Sequence, residues 1–574
     1  MSFSIHGVGV SNGIAIGHAH LVSHALLEVV HYQVPKDLVG QEIARLDQAI
    51  QTVKTDLETV KSQLPSRSPA ELSAFINTHL MILSDHTLSE DPKEIIQKEQ
   101  CNAEWALKQQ LESITAQFDQ IEDEYLRERK HDVSQVVERV IKVLLGRPSQ
   151  VPVLEQERAI ILVAHDISPA DAIQFKHHHF AAFVTDVGGA TSHTAILARS
   201  LNIPSIVALQ RARSLIRDGE LIIVDGTQGV LIVNPDKDTL AEYKLKQEQW
   251  EIEQQKLKRI KSNKAVTLDG THIDLYANIE VPEDVAQVKA VGATGIGLYR
   301  TEFLFMNRRE APSEEEQFVA YRSVAEALDG KPVTIRTLDL GADKEINNDS
   351  ERTCTNPALG LRAIRLCLAE PQLFHTQLRA ILRASAFGHI QILIPMLSSI
   401  SELKQTLLLL ERAKNSLRQE KVAFDEKIQI GGMIEIPAAA LCAEAFAKEL
   451  DFLSIGTNDL IQYSLAIDRT DDSVSHLYDP VHPAVLHLVE MTIRAGKKQG
   501  KKVSVCGEMA GDTKLTRLLL GFGLRQFSMH PSHILMVKRQ VLQSDIPKLN
   551  STARKILGTH DSEKIEPLIQ KMNL

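Results

Sequence analysis

Short apolar runs alternate with helical segments from Val266 to the end of the chain, and this alternation constrains the fold more than any other feature. Eight runs have the length and composition of buried strands: HIDLYANI, GIGLYRTEF, PVTIRTLD, IQILIPML, IQIGGMIEI, FLSIGTNDL, VSVCGEM and QFSMH. Eight strand–helix units in succession are typical of a (β/α)8 barrel. The sequence therefore predicts such a barrel over residues 265–574.

Polar or reactive residues end most of these runs, where a barrel enzyme carries its active site. They are Asn278, Arg300, Arg336, Glu435, Asn458, Asp459 and Cys506. Random placement would not gather such residues at one end of so many strands. We therefore expect a polar site at the carboxyl ends of the barrel strands.

The arginines of this set indicate an anionic ligand. Arg300 and Arg336 directly follow strand runs, and Arg362 and Arg469 lie nearby in the sequence. A guanidinium group forks onto carboxylate and phosphate oxygens, so several of them suit a small ligand that carries both groups. The alternative is structural ion pairing, which is more plausible for Arg362 than for Arg300 or Arg336.

Two acidic residues and a cysteine complete the predicted site. Glu435 and Asp459 follow different strands and could hold one Mg²⁺ with substrate oxygens and water, or each could balance an arginine. Cys506 could be a buried, small apolar residue. The glycine after it and its place at a strand end favour instead a thiol exposed to the pocket, acting as acid or base.

A second candidate site lies in the stretch DVGGATSHTAILARS, residues 186–200. Its glycines allow a tight turn after an apolar strand, and Thr191 and Ser192 can cap the helix that follows. His193 then lies in the first helical turn, where free N–H groups and the helix dipole favour an anion. The imidazole could accept a phosphoryl group; the alternative is a surface histidine beside a glycine turn.

The first half of the chain contains two kinds of sequence pattern, one typical of strands and one typical of helices. Strand-like runs near residues 3–23 and after Arg158 predict one α/β domain, residues 1–24 and 149–236, which contains His193. Helical spacing predicts a four-helix bundle inserted at 25–148, with helices over 38–64, 69–84, 92–119 and 121–145. The charged segment 237–264 predicts a linker helix before the barrel. The predicted fold class is thus multidomain α/β.

Bulk properties exclude several classes of protein. The net charge of −10 gives no basic surface for nucleic acid, and no apolar run is long enough to cross a membrane. Five scattered cysteines indicate reduced thiols in a cytoplasmic protein, and not a disulfide framework. The first residues do not have the pattern of a signal peptide.

Longer motifs carry a family resemblance. They are GGATSHTAILARSLNIPSIV, GIGLYRTEFLFMNR, TIRTLDLGADKE, GGMIEIPAA, FLSIGTNDLIQYSLAIDR and VCGEMAGD, with DEYLRERKHDV in the helical insert. With them the chain closely resembles enzyme I of the bacterial phosphotransferase system, the phosphoenolpyruvate-protein phosphotransferases, over essentially its whole length. Two neighbours of the site depart from the family pattern: Ala190 stands where arginine is usual, and Ile436 where threonine is common.

The resemblance implies a mechanism. Phosphoenolpyruvate (PEP) would bind at the top of the barrel, with Mg²⁺ on Glu435 and Asp459. Its phosphate and carboxylate would be held by the substrate-binding residues Arg300, Arg336, Asn458, Asp459 and Arg469. His193 would attack the phosphorus, and Cys506 would protonate the remaining enolate to give pyruvate.

The resemblance also implies partners. Phospho-His193 would pass the phosphoryl group to a histidine of the phosphocarrier protein HPr, as the first step of phosphotransferase sugar uptake. HPr would dock on the helical insert around Met81, Ile82, Leu88 and Arg129. The His193 domain would swing on the linker helix, and the chain would form a cytoplasmic homodimer through its barrel.

Two other functions fit part of this pattern. A pyruvate phosphate dikinase or PEP synthase shares the histidine domain and the barrel, but it needs a large ATP-binding domain for which the insert is too short and too helical. A sensor without turnover would be expected to lose an arginine, an acid or the cysteine, and none is lost.

Overall fold

A computed structural model describes residues 2–22, 29–63, 70–118, 130–146, 159–167, 180–188, 203–306, 310–340, 358–468 and 474–573. The chain divides into two compact units, Met1–Gln254 and Gln255–Leu574. No helix within those ranges is both long and apolar enough to cross a membrane.

The first unit contains a mixed eight-stranded sheet in the order β1-β8-β7-β3-β4-β5-β6-β2. Its strands are β1 Phe3–His6, β2 Val8–Ser11, β3 Ile14–Leu21, β4 Ile160–Ala164, β5 Ala182–Thr185, β6 Ser205–Val207, β7 Leu221–Asp225 and β8 Val230–Val233. β3 runs parallel to β4 and antiparallel to β7, so strands from before and after the helical insert share one sheet. This confirms the predicted α/β fold interrupted by helices.

The insert is helical, with one correction to the prediction. Its described helices are Val39–Gln63, Ala70–Ile82, His86–Ser89, Asp91–Glu99, Ala103–Phe118 and Lys130–Leu144. The single helix predicted over residues 92–119 is wrong: it breaks at Gln100, which adopts a left-handed conformation with φ 49°. Cys101 then forms an isolated antiparallel bridge with Gln33, and this pairing ends the first helix before the next begins.

A 23-residue helix, Lys237–Arg259, follows the sheet. Tyr243 on this helix is buried against Ile223 and Ile232 of the sheet. Its Trp250 ring lies so close to Gly13 that a side chain there would come within 3.2 Å of it, and Gly13 also has a φ of +128°. The helix thus has an apolar face that packs on the first unit, and the backbone between β2 and β3 needs glycine at position 13.

The second unit is a closed barrel of eight parallel strands, which confirms the predicted (β/α)8 fold. The strands are β9 Asp274–Ile279, β10 Ile296–Arg300, β11 Val333–Arg336, β12 Ile390–Ile394, β13 Gln429–Ile434, β14 Phe452–Ile455, β15 Lys502–Val505 and β16 Gln526–Met529. Its α-helices are Val285–Val291, Glu314–Ala327, Ile364–Ala369, Pro371–Ala384, Ile400–Glu420, Pro437–Leu441, Ala443–Glu449, Thr457–Leu465, Pro483–Lys498, Thr513–Phe522, Pro531–Leu542, Ile546–Leu557 and Ser562–Asn573. The main apolar core lies between strands and helices and includes Ile335, Leu378 and Val489.

Candidate active site

The parallel barrel brings most of the predicted site residues to one end. Arg300 and Arg336 are the last residues of β10 and β11, and Glu435 directly follows β13. Asn458 and Asp459 lie in the first turn of the helix Thr457–Leu465, which follows β14. Cys506 follows β15 and completes the set, so these residues share the carboxyl end of the barrel.

Arg336 is clamped between two acidic side chains. Its Nη2 lies 2.9 Å from Glu302 Oε1, its Nη1 lies 2.9 Å from Asp339 Oδ2, and the side chain is 12% exposed. Burial pushes the pKa of Arg336 down, but the charges of Glu302 and Asp339 outweigh burial and raise it. Its buried Nε has no hydrogen-bond partner among the described residues. The guanidinium is therefore fixed in place, and its Nε–H group can still donate a hydrogen bond to a ligand.

Arg362 extends this ion pair into a network. Its Nη2 lies 2.9 Å from Asp339 Oδ1 and 3.9 Å from Asp459 Oδ2, and its Nη1 donates to Tyr463 Oη at 3.2 Å. Burial would raise the pKa of Asp339, but Arg336 and Arg362 together lower it. The carboxylate of Asp339 therefore stays charged and joins the two arginines.

Arg300 is the more accessible arginine. Its Nη1 lies 2.9 Å from Glu280 Oε1, and its side chain is 35% exposed. Ion pairing, which the sequence suggested chiefly for Arg362, thus extends to all three described arginines of the site. Arg469 lies outside the described residues.

Glu435 is buried and makes no close ion pair with an arginine among the described residues. Its Oε1 accepts a hydrogen bond from the backbone N–H of Met396 at 2.6 Å. Burial, then the charges of Asp339 and Asp459, raise its pKa well above the usual range. A Cβ atom on Gly456 would lie 2.6 Å from Glu435 Oε2, so only glycine leaves room for this carboxylate.

The donor set around Glu435 fits a divalent cation. Four carboxylates, those of Glu302, Asp339, Glu435 and Asp459, act on Arg336, while Arg362 is the other guanidinium paired within the cluster. Burial raises the pKa of Glu435, and the negative charges of Asp339 and Asp459 raise it further; a bound cation would offset those charges. Mg²⁺ needs one or two carboxylates plus phosphate and water, so the absence of a three-ligand cluster in the described ranges is compatible with it.

Asn458 is held by the loop after β15. Its Oδ1 accepts a hydrogen bond from the backbone N–H of Glu508 at 2.8 Å, and its Nδ2 donates to Glu508 Oε1 at 3.4 Å. A Cβ atom on Gly507 would lie 2.0 Å from Thr457 Oγ1, so the loop and the helix start are in close contact. Thr457 Oγ1 is buried and has no hydrogen-bond partner in the described parts of the chain.

The prediction of an exposed thiol at Cys506 is wrong. The residue is 2% exposed and packs against Leu298, Leu393 and Met433. Successive residues of an extended chain face opposite sides of a sheet, and the Cys506 side chain faces the barrel interior with these three neighbours. Burial raises the pKa of Cys506 to about 11, although a hydrogen bond with Ser454 lowers it. The thiol therefore keeps its proton near neutral pH.

Three residues of this network were missed by sequence reasoning: Glu302, Asp339 and Tyr463. Glu302 and Asp339 follow Arg300 and Arg336 by two and three residues within motifs of the family. Sequence reasoning could have found them, because each is an acidic residue just after a strand that ends in an arginine. Tyr463 had no signal, because it lies two turns from its helix start and reaches Arg362 only through the fold.

The second candidate site is described only in part. His193 and its neighbour Ala190 lie outside the described residues, as does Arg129 of the helical insert. Asp186 directly follows β5, the described strand before His193, and its Oδ2 lies 3.8 Å from His165 Nδ1.

The predicted partner contacts on the insert differ in exposure. Met81 is 71% exposed, Ile82 is half-buried and packs on the helical core, and Leu88 is 4% exposed. Leu88 belongs to the core of the insert, because the short helix His86–Ser89 turns it inward. Of the three, Met81 therefore presents the apolar surface.

Comparison with known proteins finds similar sequences over most of the chain. Profiles described as the N-terminal, mobile and PEP-binding domains of PEP-utilising enzymes match residues 6–129, 156–229 and 254–546. The phosphoenolpyruvate-protein phosphotransferase of Cupriavidus necator is 52% identical, and the alignment covers 98% of each chain. That of Geobacillus stearothermophilus is 41% identical over 99% of this chain and 98% of its own. A solution structure of an Enzyme I protein is 36% identical, covers 43% of this chain and 99% of that one, and has a TM-score of 0.35. On identity over essentially the full length, the chain belongs to the phosphoenolpyruvate-protein phosphotransferase family of PEP-utilising enzymes.

Proposed function

We propose that the chain transfers the phosphoryl group of PEP to its own His193 and then to a histidine of HPr, as the first step of phosphotransferase sugar uptake. The observation that supports this most is Arg336, a buried cation fixed by two carboxylates with its Nε unpartnered among the described residues. Phosphoryl transfer depends mostly on positioning and charge neutralisation, and a prearranged guanidinium supplies both.

The substrate would be held by Arg300, Arg336, Asn458, Asp459 and Arg469. Glu302 and Asp339 would fix Arg336 so that little side-chain entropy is lost when the ligand binds. Glu508 would fix the amide of Asn458 in the same way. Glu435 and Asp459 would hold Mg²⁺, which neutralises charge on the phosphate and on the departing enolate oxygen when it is bound.

Cys506 would supply the proton that converts enolate to pyruvate. Its buried thiol keeps that proton at neutral pH because burial raises the pKa to about 11. The apolar neighbours Leu298, Leu393 and Met433 suit the methylene carbon that receives the proton and keep water from it.

The remaining parts of the proposal concern partners and location. HPr would dock on the helical insert. Met81 would be its apolar contact, since it is exposed in the described part of the insert, and Arg129 would be a second contact. The helix Lys237–Arg259 would let the His193 domain move between barrel and carrier. A cytoplasmic homodimer formed through the barrel completes the proposal.

Incubation with labelled PEP and Mg²⁺, followed by mapping of acid-labile label, tests this function. We expect the label on His193, and we expect His193→Ala to abolish it while PEP binding stays nearly intact. Loss of PEP binding in that variant would contradict a division of labour between the two units. Labelling that requires a nucleotide would favour a dikinase, and labelling without pyruvate formation would favour a sensor.

A further inference from the structure

Two serines and the cysteine form a row inside the barrel. Ser504 lies in β15 and Cys506 comes two residues later, just after that strand, so the extended chain turns both side chains the same way. Ser504 pairs with Ser454 of β14 in the sheet register. Both serines are buried, at 8% and 1% exposure. Barrel interiors are usually filled by branched apolar side chains, so adjacent serines beneath a thiol need a reason.

The hydrogen bonds in this row run in one direction. Ser504 Oγ donates to Ser454 Oγ at 3.0 Å, which leaves the Ser454 hydroxyl proton free for the sulfur. Burial raises the pKa of the Cys506 thiol, and the neighbouring Ser454 hydroxyl acts against burial and lowers it. The thiol in turn donates to the carbonyl oxygen of Ile455 at 3.5 Å.

The charges of Arg336 and Arg300 also lower the pKa of the thiol, against the burial that raises it, but by less than the Ser454 hydroxyl does. The residues that pack against it, Leu298, Leu393 and Met433, are apolar, and Phe452 is the partly buried neighbour. A thiol in such surroundings is a poor acid, because the thiolate left behind has no solvation. The Ser454 hydroxyl, which accepts a hydrogen bond from Ser504, is the group that opposes this penalty most.

We infer that Ser504 and Ser454 are positioning residues that support Cys506 as the acid in enolate protonation. In that step the S–H bond breaks and a C–H bond forms at the methylene carbon. The electron pair of the C=C bond makes the new bond, the enolate oxygen becomes the carbonyl oxygen, and the negative charge passes to sulfur. The Ser454 hydroxyl donates to the thiolate until sulfur regains a proton from water.

This inference rests on the proposed function and predicts a separation of two rates. In a single turnover with labelled PEP and Mg²⁺, chemical quenching gives the rate of phosphoprotein formation and the rate of pyruvate formation. Ser454→Ala should leave the first unchanged and slow the second about tenfold, the value of one hydrogen bond to a charged group. Ser504→Ala should also slow pyruvate formation, but by less, because the Ser454 hydroxyl remains.

Thr334 offers a matched control. Its hydroxyl is also buried in the barrel and donates to Gln391 Oε1 at 3.0 Å, without a link to the sulfur. Thr334→Ala should therefore change neither rate. Ser454→Thr keeps the hydroxyl and should restore most of the rate of pyruvate formation.

The outcomes are distinguishable. Wild-type pyruvate formation in both serine variants would overturn the inference, and so would equal slowing of both steps in Ser454→Ala and Thr334→Ala. If the Cys506→Ala variant formed pyruvate at the wild-type rate, the thiol would not be the acid, and the inference would be wrong as well. If wild-type protein took no label from PEP, the proposed function itself would fail.

Discussion

Arg336 is held by two carboxylates in the free protein, and under the proposed function it would also bind the substrate. Its guanidinium is paired at 2.9 Å with Glu302 and with Asp339, and all three groups are largely buried. Removing one partner of a buried ion pair leaves an uncompensated charge, which costs more than the pair contributes. The free protein thus needs the arginine, whatever role the residue has in binding.

We predict that Arg336→Met destabilises the barrel by about 3–5 kcal/mol, because two buried carboxylates lose their partner. Denaturant unfolding followed by circular dichroism measures the change. Arg494→Met is the control: its pairing with Glu490 at 3.6 Å is exposed, so we expect a change below about 1 kcal/mol. Equal changes in the two variants would contradict this account of Arg336.

Gly456 provides a second test at the residue scale. A methyl group there would meet Glu435 Oε2 at 2.6 Å, so Gly456→Ala should displace the carboxylate. We expect Mn²⁺, as a spin probe for the proposed Mg²⁺ site, to bind about 10–100-fold more weakly by electron paramagnetic resonance. Gly40→Ala has no atom within 4 Å of its new methyl group and should leave Mn²⁺ binding unchanged.

At this scale the sequence predicted positions better than environments. Arg300, Arg336, Glu435 and Asn458 lie at strand ends as expected, because their place follows from the order of the strands. The burial of Cys506 did not follow, since it depends on Leu298 and Met433 from other strands that close over the sulfur.

Among the elements, the ends of β4 and β5 carry a charge pair that depends on pH. The hydrogen bond to Asp186 raises the pKa of His165 above its usual value near 6.5, and Asp166 and Glu138 add to this effect. A raised pKa means that the folded state binds the proton more tightly. The stabilisation is therefore fully present below the unfolded pKa and is lost as pH rises through the folded pKa.

We predict that His165→Gln destabilises the first unit at about pH 5 but not at about pH 9. The side chain is 46% exposed, so solvent limits the difference to less than about 1 kcal/mol. Unfolding curves of both proteins at the two pH values measure it. A loss that was larger at high pH would contradict the sign.

Element boundaries were predictable where local signals agreed with the tertiary pairing. The barrel strands satisfy that condition, since each apolar run ends in polar or glycine residues. The break at Gln100 does not, because Asp91–Glu99 and Ala103–Phe118 both have helical sequences. The bridge between Cys101 and Gln33 separates the two helices. Because its two residues lie far apart in the sequence, no local pattern predicts this bridge.

For the whole molecule, the division into Met1–Gln254 and Gln255–Leu574 predicts two unfolding steps. Scanning calorimetry should show two transitions, because each unit buries its own core. Arg336→Met should lower one transition, and PEP with Mg²⁺ should raise that same transition alone. A single transition shifted as a whole would show instead that the two units unfold together.

The depth of Cys506 has a practical side. Of the cysteines in the described residues, Cys442 is the exposed one, while Cys101, Cys367 and Cys506 are buried. Water-borne oxidants and alkylating reagents therefore encounter Cys442 first. Under the proposed function, a protein in which Cys442 alone is blocked should remain fully active. A covalent inhibitor of Cys506 would then need to resemble the three-carbon substrate to reach the buried sulfur.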